Sequence, residues 1–108
     1  MIDWRRIDEL KAEIGHDAFA EVAGMFLEEA EAVVRRLPQV SPAMLEAELH
    51  ALKGSALNLG LAALVALCAE GERRAAAGQP VDIDLLIRCH RTSHDAFVAG
   101  APGAASAA

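Results

Sequence analysis

The sequence predicts an all-α fold, an up-and-down four-helix bundle with a short N-terminal capping helix, and three observations carry that prediction. Hydrophobic residues make up 54% of the 108-residue chain, and much of that fraction is Ala and Leu, the strongest helix formers. Apolar residues recur at three- and four-residue steps, the period of one helix face. Residues that start and stop helices punctuate these stretches, and no alternating run of β-branched residues competes with them.

Asp3 is placed to cap a first short helix that runs to about Ile14 and closes at Gly15, with Ile7, Leu10 and Ile14 on one stripe. Asp17 is the candidate cap of a second helix, in which Phe19, Val22, Phe26, Ala30, Val33 and Leu37 repeat. Pro38 and Pro42 bracket the next break, with Ser41 as N-cap and Pro42 at the first helical position, where a missing N–H costs nothing. This third helix reaches about Leu59, and Gly60 supplies the turn. A fourth follows almost at once, with Leu61, Leu64, Cys68 and Ala75 inward, ending at Gly78 before Pro80. Asp82 caps a fifth, whose Ile83, Leu86, Ile87, His90, His94 and Phe97 face inward. Long helices joined by brief connections imply antiparallel neighbours.

This length suits a single domain. We place it at 1–99, followed at 100–108 by an Ala/Gly-rich tail that lacks periodicity and is expected to be mobile. The net charge of −6 argues against binding nucleic acid, which calls for a basic face. Cys68 and Cys89 could pair, but no apolar run follows the opening Met1-Ile2-Asp3-Trp4-Arg5-Arg6 as it would in a secretory signal. A reduced, cytoplasmic monomer is therefore expected. No apolar stretch approaches the ~18 residues of a membrane span, so no membrane association is expected.

The third helix holds the chemistry. Leu45, Leu49, Leu52, Ala56 and Leu59 follow a 4-3-4-3 spacing and form the buried stripe. His50 lies roughly opposite Leu52 and should face solvent. Lys53, Gly54 and Leu57 sit three, four and seven residues later, on the same outer face. Glycine inside a helix costs ~1 kcal/mol relative to alanine; beside a histidine, a missing side chain makes sense if another protein's backbone must come close. Neutral imidazole is nucleophilic near neutral pH, since its ordinary pKa is ~6.5. Its attack on a phosphoryl group would give a labile phosphoramidate, and Lys53 could screen the added charge. Glu46, four residues before His50, is an unhelpful like charge.

The run His50-x-Leu52-Lys53-Gly54-Ser55-Ala56-x-x-Leu59-Gly60 resembles the phospho-acceptor signature of histidine phosphotransfer domains. The stretch around Gly15, the segment Phe26-Leu27-Glu28-Glu29 and Leu64 to Cys68 extend the resemblance over roughly 2 to 98. It implies a freestanding four-helix domain whose His50 accepts a phosphoryl group from one receiver-domain aspartate and passes it to another. It also implies Lys53 and Gly54 beside the phosphorylated His50; on the outer-face reading, Gly54 and Leu57 are expected to meet the partner. Such a chain is a carrier rather than an enzyme and has no cofactor of its own; Mg²⁺ and the aspartate come from the response-regulator receiver. Leu49 departs from the pattern, standing where a smaller residue is common.

Other readings remain open on these residues. The chain could dock receivers without carrying phosphate, or a histidine kinase, hybrid or chemotaxis-type, could phosphorylate His50 directly. His90 and His94, four apart with Cys89 adjacent, have the spacing of two metal ligands on one face, but their apolar stripe favours core packing and no metal site is expected. Ser55 lacks the Asp and His of a hydrolase triad, and no glycine-rich phosphate loop occurs.

Overall fold

A computed structural model describes residues 2–100; the remaining residues of the expected tail, 101–108, lie outside them. Helix α1 (Trp4–Ile14) leads into α2 (His16–Arg36), a 3₁₀ turn at Leu37–Gln39, α3 (Pro42–Asn58), α4 (Ala62–Ala76) and α5 (Ile83–Gly100). Gly100, the first residue assigned to the tail, is still helical. In the ring of long helices α3 packs on α2 and α4, α4 on α5, and α5 returns to α2. Among the described residues no helix is long and apolar enough to cross a membrane.

The helix ends follow local chemistry. Asp3 caps α1 by accepting the Arg6 N–H, and Asp82 accepts the Leu85 N–H in the same way. Gly15, at φ 85°, both closes α1 and starts α2, accepting the Phe19 N–H through its carbonyl. Asp17 is therefore not the cap expected from the sequence; it lies in the first turn, where its charge suits the helix dipole. Ser41 holds the N-cap position of α3 through its backbone alone: Met44 N–H bonds its carbonyl at 3.0 Å, with no side-chain bond.

Leu49, Leu52, Ala56, Leu59, Leu64, Cys68, Leu86 and Phe97 form the core with α1 and α2 residues. Four stripes differ from their expected composition. Ile14 is 37% exposed, because α1 ends there and the chain swings away at Gly15. In α2, Ala23, Leu27 and Val34 are buried, while Val22 and Phe26 flank the core half-buried. In α4 the inward position between Cys68 and Ala75 is Gly71, and in α5 the fully buried Ser93 displaces His94 to the margin. Both cysteines are free, and burial pushes the Cys68 thiol up to about 12.

The α3–α4 reversal anchors the N-terminus. Gly60 has φ 67°, its carbonyl accepts the Asp3 N–H at 2.7 Å, and Ile2 pairs with Leu61 in an isolated bridge. Helix α1 is thereby held over one end of the bundle, where Trp4 stacks on Phe97 with ring centroids 6.0 Å apart. A Cβ at Gly60 would lie 2.7 Å from the Asp3 carbonyl oxygen, backbone that cannot step aside. Gly60→Ala should destabilise the fold by more than ~1 kcal/mol, measured by urea unfolding. Unchanged stability would show that the turn tolerates both the strain and the clash.

Candidate functional site

Helix α3 turns its buried stripe inward and leaves His50 on the outer face, with 73% of its side-chain surface exposed. Gly54 and Leu57 share that face. Leu57 is 53% exposed and borders a shallow concavity with Asn58, Gly60, Ala62 and Val65. A Cβ at Gly54 would meet nothing within 4 Å, and its backbone is ordinary helix. Packing within this chain therefore gives no reason for glycine there. Asn58 bonds the Gly54 carbonyl at 2.9 Å and steadies the last turn of the helix.

The residue that organises the face comes from α4. Glu72 Oε1 lies 2.7 Å from His50 Nδ1, and Glu72 Oε2 lies 2.5 Å from Lys53 Nζ. A carboxylate can only accept, so the ring must carry its proton on Nδ1 and donate it to Glu72. In the neutral ring this leaves the Nε2 lone pair at the open surface, and Nε2 has no partner among the described residues. Lys53 is held in as well: only 25% of its side chain is exposed, and its ammonium is already neutralised by Glu72. Glu46 makes no bond to His50; it borders the same shallow depression, together with Ala43, Ala47 and Glu72.

Sequence reasoning placed His50, Lys53, Gly54 and Leu57 on one face and missed Glu72. A signal was present. In an antiparallel hairpin, residues equidistant from the turn face each other, and 50 and 72 stand at nearly equal separations from Gly60. His90 and His94 are elsewhere, between α2 and α5, with ring centroids 5.8 Å apart. His90 is buried, and burial first, then the neighbouring His94, push its pKa down against the opposing pull of Glu31 and Asp95. No group of three His, Cys, Asp or Glu side chains that could hold a metal occurs among the described residues.

Only 14% of the Glu72 side chain is exposed. Burial pushes its carboxyl up, but Lys53 and His50 outweigh burial and hold it below the usual glutamate range. A carboxyl depressed on folding stabilises the protein above its unfolded value, about 4.3, and that contribution is lost as pH falls through the folded value. Glu72→Gln should therefore lower stability at neutral pH and flatten the acid limb of the stability profile, measured by urea titration at a series of pH values. An equal deficit on both sides of the acid limb would assign Glu72 a packing role instead of an electrostatic one.

No curated protein and no solved structure matches the chain. The family model for the Hpt domain matches residues 21–96, from early α2 to near the end of α5, and so takes in His50, Lys53, Gly54, Leu57 and Glu72. The match covers more than half of the chain and spans the exposed imidazole, the carboxylate behind it and the glycine one turn on: the chain belongs to the Hpt domain family, the histidine phosphotransfer domains.

Proposed function

We propose that this domain is a phosphorelay intermediate whose His50 takes a phosphoryl group from the aspartyl phosphate of one receiver domain and delivers it to another. The observation that carries the proposal is the division of labour on one ring, with Nδ1 engaged by Glu72 at 2.7 Å and Nε2 open to solvent. Nε2 attacks phosphorus; the P–N bond forms as the P–O bond to the receiver aspartate breaks, and the aspartate leaves as carboxylate. The proton stays on Nδ1, so the phosphorylated ring gains positive charge, which the Glu72 carboxylate offsets as a buried carboxylate does for a catalytic imidazole. Because the ring leaves as a neutral imidazole, the step runs readily in reverse towards a second receiver.

Lys53 supplies a cation one turn from His50 for the charge that arrives with the phosphoryl group. Mg²⁺ belongs to the receiver's aspartate site in this reading, and the domain contributes the acceptor and its docking face. The small residues Ala43, Ala47 and Gly54 around His50 leave room for a partner's loops. The two free thiols fit the reducing cytoplasm.

Incubation with a phosphorylated receiver should give an acid-labile, base-stable label that His50→Gln abolishes, while ATP and Mg²⁺ alone should give none. Labelling of a folded His50 variant would overturn the assignment; docking without any labelling of the wild type would leave a scaffold. Gly54→Leu should gain several tenths of a kcal/mol in helix stability and yet slow transfer, because the new side chain projects into the partner's path. Leu57→Ala should cost little stability and weaken receiver binding. Thermal melting paired with transfer kinetics tests both; a Gly54→Leu protein that transfers normally would move the docking face elsewhere.

A further inference from the structure

Helix α4 buries Gly71 on the stripe that also carries Leu64 and Cys68. Nothing in the backbone calls for glycine there, since its φ is not positive, and the helix would prefer a residue with a side chain. The reason lies across the seam. A Cβ at Gly71 would stand 2.8 Å from Leu49 Cδ1 and 3.5 Å from Val81 Cγ1. Leu49 is completely buried, so it cannot yield by swinging into solvent. In sequence, Leu49 directly precedes His50 and Gly71 directly precedes Glu72. The size-matched pair in the core thus lies beneath the bonded pair at the surface.

We infer that Gly71 is a positioning residue for the phospho-acceptor: by ceding its volume to Leu49, it sets the α3–α4 approach at which Glu72 reaches His50. It acts only through Glu72, and its relevance to transfer rests on the reading of His50 as the acceptor. The contact it protects has little slack. From 2.7 Å, an outward shift of α4 by about 0.6 Å would take the bond past the ~3.2 Å limit of a normal hydrogen bond. The ring would then be free to move its proton to Nε2, the atom that must attack.

The test compares the wild type with Gly71→Ala, Gly71→Leu and the double variant Gly71→Leu/Leu49→Ala, which returns volume to one side as it is taken on the other. Two quantities are read on each folded protein: the His50 tautomer, from ¹⁵N shifts of the ring nitrogens, and the rate of transfer from a phosphorylated receiver. We expect the Nδ1–H form to dominate in the wild type and to be lost in Gly71→Leu, with transfer about tenfold slower, equivalent to ~1.4 kcal/mol on the barrier. Gly71→Ala should fall between, and the double variant should recover both tautomer and rate. A merely structural glycine would change melting temperature and leave the tautomer alone. The inference is overturned if folded Gly71→Leu keeps the wild-type tautomer and rate, or if the folded double variant recovers neither. Should Gly71→Leu fail to fold, Gly71→Ala decides by the same criteria. The tautomer needs no phosphoryl donor, so a wild type that takes no label would overturn the acceptor reading while the spectra still decide for or against Gly71.

Discussion

The reversal at Gly60 sets the register on which the site depends. A left-handed backbone residue, closed against the Asp3 N–H, leaves α3 and α4 one way to lie alongside each other. In that register the residues on either side of the turn meet in fixed pairs, and His50 meets Glu72. Slipping the hairpin by one residue would rotate each partner by about 100° and dissolve the pair without changing a single residue. The same turn tethers α1 to the bundle, so the cap and the site share one point of origin, although the cap takes no part in the chemistry.

The site is a small electrostatic circuit in a chain with an excess of acidic residues. Glu72 is claimed by two donors at once, and neither alone would hold a mostly covered carboxylate charged as firmly as both do. Lys53 and Glu72 cancel each other's charge within that pair. Glu46, on the same shallow depression, adds a negative charge beside His50 that this pair does not offset, in keeping with the net charge of −6. Glu48, paired with Arg36, is covered to a similar degree, whereas the Glu70 pairs with Arg73 and Arg74 lie on more exposed surface where such contacts contribute little. Among these paired carboxylates Glu72 stands apart in holding an imidazole and an ammonium together.

Most of the architecture was legible because it is local. Asp3, Asp82, Gly15, Gly60 and Pro42 mark helix ends through bonds and dihedrals spanning only a few residues, and the 4-3-4-3 stripe of α3 settles which way His50 points. The misjudged positions depend on what a helix packs against. Asp17 looked like a cap because Gly15 can begin a helix without a side chain. Val22 and Phe26 lost the centre of α2 to Ala23 and Leu27, which let the helices approach. Glu72 was overlooked for the same reason: as a charged residue on a polar helix stretch it resembles any solvated glutamate, and only its separation from Gly60, nearly equal to that of His50, pointed to the pairing. Gly71 reads as a weak spot in α4 until Leu49 is seen to occupy its space.

The aromatic contact at the capped end has an optical consequence. Trp4 is the chain's one tryptophan, and there is no tyrosine to add to its emission. Its indole lies nearly parallel to Phe97, at an interplanar angle of 13°, and is 38% exposed. Fluorescence from this protein therefore originates at a single known place, where α1 meets the end of α5. His50 stands ten residues up α3 from Gly60, roughly 15 Å along the helix axis at 1.5 Å per residue. The native emission is thus a reporter of cap departure, spatially separate from events at the imidazole. A binding partner that quenches it must reach that end of the bundle or loosen the N-terminal helix.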